Sequence, residues 1–174
     1  MDKSRRTSSS TNVDHPPGLT TGAPDLAILI VAASRVIVDR LVGAMRDGGL
    51  GEVRPAHGFV IRAVHAERPT VSRLAALLDT SKQAASKLVD GMVRAGLLER
   101  FVDPDDRRLS RLRLADRGAK VRRRALATSA SIEKALRRSL GEADVSALRR
   151  ALLQLLEDHG ALDEVQAGRA RPVW

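Results

Sequence analysis

The stretch that decides the fold, residues 70–100, reads TVSRLAALLDTSKQAASKLVDGMVRAGLLER. Its first part predicts a short helix that begins after Thr70 and carries apolar residues at 74, 75, 77 and 78. The segment Asp79-Thr80-Ser81 predicts a tight turn, and Ser81 can cap a second helix because serine oxygens accept hydrogen bonds from the first helical N–H groups. Gly96 ends that second helix. The stretch therefore predicts two short helices joined by a turn.

The second predicted helix has two different faces. The apolar face, which is predicted to be buried, consists of Ala84, Ala85, Leu88, Val89 and Met92. The polar face lies near the N-terminal half of the helix and consists of Lys82, Gln83, Ser86, Lys87 and Asp90. Taken alone, such a polar face is typical of any solvated surface helix.

After Gly96 the apolar period changes from helical to two. Residues 98–102 predict one strand and residues 109–114 its partner, in which Leu112 and Leu114 face inward while Arg111 and Arg113 face outward. The six residues between the strands, DPDDRR (103–108), form a charged turn that is too polar to be buried.

The order of these elements predicts a winged helix-turn-helix. A helix fits the major groove of DNA, where its first residues meet base edges, and a β-hairpin can lay cations along the neighbouring minor groove. Gln83 can pair with adenine through two hydrogen bonds, and Lys82 or Lys87 can reach guanine or phosphate. Together with the hairpin, the polar face favours double-stranded DNA as the partner.

Helical segments flank this core. Residues 1–24 are rich in Ser, Thr, Pro and Gly and predict a disordered tail. A helix follows in residues 25–50, and Pro55 suits the first turn of a second helix. Two further helices are predicted near 116–138 and 142–158, which gives roughly six in all. The predicted organisation is a domain at 25–160, with a DNA-binding lobe at 54–118, dimerisation helices at 25–50 and 116–160, and a C-terminal tail at 161–174.

Composition narrows the class of protein. The 174 residues carry a net charge of +9, from 30 Lys+Arg and 21 Asp+Glu, and contain no Cys. The positive charge concentrates between residues 59 and 140, which favours a polyanionic partner. Without cysteine, disulfides and thiolate chemistry are excluded. No apolar run is long enough to span a membrane, so we expect a soluble, cytoplasmic protein without membrane contact.

The stretch from Thr70 to Gly118 resembles the DNA-binding core of the MarR family of bacterial transcriptional regulators. The resemblance rests on residues 70–100, on the wing DPDDRR (103–108) and on LRLADRG (112–118). It implies a mainly α fold and a homodimer that binds a palindromic operator, usually as a repressor that a small ligand releases. Three features depart from the family: Asp79 stands where glycine is common, Ala115 replaces a hydroxyl residue before the long helix, so that Asp116 is expected to cap instead, and tyrosine is absent.

The resemblance also assigns roles to residues. Asp106 is expected to brace the wing by pairing with an arginine, and Arg108, with Arg107 as the alternative, to enter the minor groove. The predicted DNA contacts are Thr80, Ser81, Lys82, Gln83, Ser86, Lys87, Arg94, Arg107, Arg108 and Arg111. If a small effector binds between the dimer helices and the DNA-binding lobe, the predicted polar contacts are Arg35, His57 and Arg62. Because few aromatic rings are available, we expect little response to simple phenolic acids.

Other functions find less support in the residues. A helical interaction module whose basic surface binds an acidic protein is the main alternative, and saturable binding to one palindrome would separate the two. No nucleophile with a base, phosphate-cradling glycine loop or dinucleotide fingerprint is present, so the chain is predicted not to be an enzyme and to need no cofactor. His57 and His65 share a helix without a nearby carboxylate at ligand spacing, which argues against a metal.

Overall fold

The computed structural model describes residues 24–166. In chain order the elements of this range are α1 (Leu26–Asp47), α2 (Pro55–Glu67), α3 (Val71–Leu77), α4 (Lys82–Arg94), β1 (Leu98–Val102), β2 (Ser110–Leu114), α5 (Asp116–Leu140), α6 (Glu142–Asp158) and α7 (Leu162–Gln166). The predicted mainly α fold with a two-stranded wing is confirmed. The chain divides into two units, of which one ends at Ser34 and the other begins at Arg35.

The described part of the first unit, residues 24–34, forms the beginning of α1. The Asp25 carboxylate accepts a hydrogen bond from the Ala27 N–H at 2.8 Å and so occupies one of the free donors at the start of the helix. All residues in this part are exposed, including Leu26, Ile28 and Val31. The predicted tail before Pro24 lies outside the described residues.

The core of the second unit lies where α2, α3 and α4 meet the β-hairpin. Leu74 of α3, Met92 of α4 and Leu112 of β2 are completely buried there, together with Val60 and Val64 of α2. These residues are the apolar positions of their helical and strand periods, and burial of each such side chain contributes about 1.5–3 kcal/mol. The core therefore fixes the helix-turn-helix and the hairpin to each other.

The hairpin pairs in one antiparallel register that runs from Leu98 opposite Leu114 to Val102 opposite Ser110. The linker between α2 and α3 adds to this sheet, because the Leu112 N–H donates a hydrogen bond to the Pro69 carbonyl at 2.9 Å. The wing is thus attached to the backbone that enters the helix-turn-helix.

Arg117, in the first turn of α5, joins three segments of the fold. Its guanidinium donates hydrogen bonds to the Leu50 carbonyl, at 2.9 Å from Nε and 2.6 Å from Nη2, and to the Ala95 carbonyl. Leu50 lies in the loop between α1 and α2, and Ala95 follows the last residue of α4. Arg117 therefore fixes the start of α5 to the C-terminal end of α4 and to that loop.

The structure differs from the sequence prediction at four points. Seven helices form in residues 24–166, because part of the expected C-terminal tail folds as α7, while residues 167–174 lie outside the described range. Ala84 is exposed, since it lies on the first turn of α4 away from the core. The second strand begins one residue later than predicted, at Ser110. Asp116 is the first residue of α5, and no side chain caps that helix.

Candidate DNA-binding surface

The recognition helix of the predicted helix-turn-helix is α4. Its N-terminus forms as the sequence indicates, because the Ser81 hydroxyl accepts a hydrogen bond from the Ala84 N–H at 3.1 Å. The buried face carries Ala85, Val89 and Met92, so the remaining positions turn outward. Of the predicted DNA contacts in and beside α4, the exposed residues are Thr80, Ser81, Lys82, Gln83, Lys87 and Arg94, and Ser86 is half-buried.

The turn between α3 and α4 requires an unusual backbone conformation. Asp79 has φ 49°, in the left-handed region where L-residues other than Asn and Asp are rare. The next N–H, of Thr80, donates to the Ala75 carbonyl at 3.0 Å and closes the end of α3. The turn position that the family commonly fills with glycine is thus one where aspartate is the next most tolerated type of residue.

The wing is braced by a carboxylate to which the sequence reasoning gave no role. Asp103 is 3% exposed and accepts hydrogen bonds from the N–H groups of Asp105 (2.8 Å) and Asp106 (3.2 Å). Its second oxygen accepts a hydrogen bond from Arg111 Nε. The bond from Arg111 is the main reason that the pKa of Asp103 lies below its ordinary value. Asp103 thus holds the turn of the wing to β2.

Asp106, the predicted brace, pairs with an arginine of the wing tip itself. Its two oxygens accept hydrogen bonds from Arg108 Nε (3.0 Å) and Nη2 (3.1 Å), which form a two-point ion pair. These bonds lower the pKa of Asp106, and the side chain of Arg108 nevertheless stays 90% exposed. The pair orients the Arg108 guanidinium while leaving it open to a ligand.

The other wing arginines differ in their surroundings. Arg111, a predicted DNA contact, is engaged with Asp103 and lies 3.5 Å from the Arg68 carbonyl, so it acts here as a brace. Arg113 of β2 pairs with Glu99 of β1 at 2.9 Å. Arg107 is exposed. The wing therefore presents Arg107 and Arg108 at its tip, whereas its strands hold paired arginines.

Four exposed cations, three in α4 and one in the wing, have no carboxylate partner among the residues that the structure describes. Among residues 24–166, no carboxylate oxygen lies within 4.0 Å of a side-chain nitrogen of Lys82, Lys87, Arg94 or Arg107. Such unpaired, exposed cations keep their full attraction for phosphates.

A pocket of about 310 Å³ lies beside this lobe, between residues of α1, α2 and α5. Its walls are mainly apolar, and the three arginines among them are Arg54, Arg62 and Arg122. Of the three predicted ligand contacts, Arg62 lines the pocket, but Arg35 and His57 do not. Arg35 is instead exposed and 3.9 Å from Asp39.

His57 has a structural role at the start of α2. Its Nδ1 accepts a hydrogen bond from the Arg54 N–H at 3.2 Å, which requires the neutral ring with Nδ1 unprotonated. Burial of the ring lowers the pKa of His57, and the nearby positive charge of Arg54 lowers it further, against the smaller opposing effect of Glu52.

Two other features, a metal site and a membrane-spanning helix, were considered for residues 24–166. The described residues contain no group of three or more His, Asp or Glu side chains that could hold a metal ion. Within residues 24–166, no helix is long and apolar enough to cross a membrane.

Comparison with family models gives a match over part of the chain. The model of the MarR family matches residues 53–109, the segment that holds α2, the helix-turn-helix and the wing turn. Residues 53–109 form a MarR-family domain. This match confirms the resemblance seen in the sequence, and it supports a DNA-binding transcriptional regulator. No curated protein matches the sequence significantly.

Solved structures share the fold of the MarR-family domain and its flanking helices. FabT of Streptococcus pneumoniae in complex with DNA is 18% identical, with a TM-score of 0.66 over 78% of this chain and 95% of that one. Wild-type MarR from E. coli is 20% identical, with a TM-score of 0.58 over 78% and 99%. YusO from Bacillus subtilis is 22% identical, with a TM-score of 0.59 over 76% and 92%. At these identities the likeness concerns the fold.

Proposed function

We propose that this protein is a cytoplasmic, homodimeric repressor that reads a palindromic operator with α4 and the wing and is released by a small anionic ligand. The observation that carries the proposal is the distribution of cations on the DNA-binding lobe. Lys82, Lys87 and Arg107 stay exposed without a carboxylate partner in the described range, whereas Arg100 and Arg113 of the strands are paired. The exposed cations of α4 and of the wing tip are therefore available to the phosphates of a duplex.

The proposed reading of DNA separates base contacts from phosphate contacts. Gln83, at the exposed N-terminal end of α4, is suited to a base edge, and Lys87 and Arg94 to phosphates. Arg108 is suited to the minor groove, since a narrow groove attracts arginine electrostatically. In a twofold dimer the two recognition helices would lie about 34–36 Å apart, one turn of the duplex.

The test is binding to the DNA upstream of the protein's own gene against excess competitor DNA. Saturable binding at one palindrome is expected, and Gln83→Ala should cost about 1–3 kcal/mol at that site while reducing the preference over competitor. Arg108→Ala should weaken binding, with the largest loss on operators that have A·T-rich flanks, because it removes the cation assigned to the minor groove. Arg113→Ala is the matched control, because Arg113 is likewise exposed and paired with a carboxylate, Glu99, but lies in a strand and not at the tip of the wing. Equal effects of all three substitutions would contradict the assignment.

We propose a homodimer because α6 has an exposed apolar face. α6 exposes Leu148 (45%), Leu152 (38%) and Leu155 (48%), which recur at four- and three-residue steps and so share one face of the helix. A contiguous apolar face of this kind is typical of an interface. Light scattering at micromolar concentration should give twice the chain mass, and Leu152→Glu should shift the protein toward the monomer. A monomeric wild type would refute this part.

The pocket provides the proposed ligand site. Its apolar walls with Arg54, Arg62 and Arg122 suit an anion with a compact apolar body. Calorimetry with apolar monocarboxylates and their alcohol analogues should detect binding of the acids only. Arg62→Gln should weaken that binding, and Arg35→Gln, outside the pocket, should not. Equal binding of acid and alcohol would exclude a role for the arginines.

A further inference from the structure

The outer face of α5 carries a row of cations outside the proposed operator-binding surface. Lys120, Arg123, Arg124, Lys134 and Arg138 are all exposed. At about 100° per residue they project within roughly 50° of one line along the helix, and at 1.5 Å per residue the row is about 27 Å long. We call these five residues the α5 stripe.

The stripe is positively charged along its whole length. Of the two acidic residues in α5, Glu133 accepts hydrogen bonds from Arg137 (2.7 Å) and Arg149 (2.7 Å), away from the stripe. The other, Asp116, lies one turn before Lys120 on the same face. In the described range, no carboxylate oxygen lies within 4.0 Å of a side-chain nitrogen of any stripe residue. Within residues 24–166, Arg124 is the one stripe residue whose side chain makes a hydrogen bond, from Nε to the Ala44 carbonyl at 3.2 Å.

The stripe begins at the end of α4 that is opposite to the base-reading residues. Arg117, one turn before Lys120, donates a hydrogen bond to Ala95, at the C-terminal end of α4. The base-reading residues Lys82 and Gln83 lie at the other end of α4, about 18 Å away along the helix. Lys120 therefore lies near Arg94, which is proposed to contact an operator phosphate, and the other four stripe residues lie farther along α5.

The spacing within the stripe suits duplex DNA. Arg124 and Lys134 lie about 15 Å apart along the helix, so the cations form one group at each end. Between them the same face carries only small exposed residues, Ala127, Ala130 and Ser131. A helix with small residues at its centre can approach a groove closely, and the two groups then lie near the phosphates on either side of a major groove about 12 Å wide.

The exposed apolar residues of α5 do not lie on the same face as the stripe. The large apolar residues that α5 exposes are Leu126 and Leu140. They project about 110–150° around the helix from the middle of the stripe. A dimer contact through these apolar residues would therefore leave the stripe facing solvent.

We infer that the α5 stripe is a second binding surface for duplex DNA, which lets one protein molecule hold a DNA segment besides the one bound by α4 and the wing. The contacts would be to phosphates and therefore independent of sequence. The inference adds a bridging activity to the proposed function and does not depend on the identity of the operator.

The test measures whether two DNA molecules travel together. The probes are two mixed-sequence duplexes that carry different dyes. Each is about 30 base pairs long, which is enough for two half-sites one turn apart. Fluorescence cross-correlation records their co-diffusion after protein is added. Wild type should produce co-diffusing pairs. The variant R123Q/K134Q/R138Q should lose about tenfold in co-diffusion while its affinity for a single duplex stays within about twofold, because the proposed operator-binding cations remain.

Two control variants make the result specific. R40Q/R46Q/R150Q removes the same amount of charge from exposed residues outside the stripe and should leave co-diffusion unchanged. K82Q/R108Q should weaken binding to a single duplex. If K82Q/R108Q has no effect but R123Q/K134Q/R138Q abolishes all DNA binding, the proposed function fails and the stripe survives as a DNA site.

Other outcomes would overturn the inference. Unchanged co-diffusion in R123Q/K134Q/R138Q would mean that the two operator-binding surfaces of a dimer hold the two duplexes. Equal losses in both triple variants would mean that net charge alone is responsible. Absence of co-diffusion in wild type, with stripe-dependent binding to vesicles containing anionic phospholipid, would assign the stripe to a membrane surface instead.

Discussion

Gly118 lies against the backbone of Leu97, the residue before β1, and its replacement tests how α5 packs on the lobe. It is buried in the first turn of α5. A Cβ added there would lie 3.0 Å from the carbonyl carbon of Leu97 and closer still to its oxygen. Because the obstacle is backbone, no rotation of a side chain can make room. Gly118→Ala therefore forces the start of α5 away from the residue that leads into β1.

Gly118→Ala should lower the free energy of unfolding because moving α5 breaks a hydrogen bond. The Ala115 N–H donates a hydrogen bond to the Leu97 carbonyl at 3.1 Å, and moving α5 loses this bond in a buried region. An unsatisfied buried group costs about 1–3 kcal/mol, and overpacking about the same again. Alanine recovers about 1 kcal/mol through its higher helix propensity. The free energy of unfolding should thus fall by about 3 kcal/mol.

The matched control is Gly91→Ala in the interior of α4, where an added Cβ meets no atom within 4 Å. That substitution should raise the free energy of unfolding by about 0.5–1 kcal/mol, since only helix propensity changes. Urea denaturation followed by circular dichroism, at one fixed protein concentration, measures both variants. Stabilisation of Gly118→Ala to the same extent as Gly91→Ala would refute the reasoning.

Three further substitutions test other parts of the structure. Folding lowers the pKa of His57, so its contribution to stability is complete above its pKa of 6.5 in the unfolded chain and decreases as the pH falls below that value. His57→Gln should therefore flatten the loss of stability between about pH 7 and 5. An unchanged pH profile would contradict the capping role. Asp103→Asn removes the charge that holds Arg111, so DNA affinity should fall with little change in circular dichroism, and unaltered affinity would contradict the bracing role. Arg68 ends α2 at φ 47°, so Arg68→Gly should raise the free energy of unfolding by about 0.5–1 kcal/mol, and a lower melting temperature would exclude strain there.

The helix-turn-helix could be predicted from the sequence because its signals are local. Thr70 and Ser81 each accept a hydrogen bond from the N–H three residues later, as cap residues do. The apolar periods before and after Gly96 are likewise confirmed by burial of Leu74, Met92 and Leu112. Each of these signals depends on neighbours within a few residues, so no knowledge of the tertiary fold was needed.

The brace of the wing could not be predicted in the same way. Asp103 and Asp106 stand in the same polar turn and carry the same charge. The hairpin register decides between them: the Asp103 N–H donates to the Leu109 carbonyl at 2.9 Å, which makes Arg111 its diagonal neighbour across the sheet. Diagonal neighbours are within reach of a long side chain such as arginine. Asp106, beyond the last pair, reaches only Arg108.

Arg117 was missed for a different reason. Its carbonyl partners at Leu50 and Ala95 lie 67 and 22 residues away in sequence, and the side chains of those two residues carry no sign of the contact. A backbone carbonyl is present at every position, so an arginine that binds one has no complementary residue to reveal it. The same argument applies to Arg124 and Ala44, which are 80 residues apart.

How strongly an arginine attracts DNA depends on whether it already has a carboxylate partner. A paired arginine must exchange its carboxylate for a phosphate, so that little net attraction is gained, whereas an unpaired cation releases counterions when it binds DNA. Arg108 combines both situations. Asp106 holds its guanidinium through two hydrogen bonds, yet the side chain is 90% exposed, so its free edge can enter a groove in a fixed orientation. Orientation of this kind reduces the entropy lost on binding, which favours a specific contact at the wing tip over a purely electrostatic one.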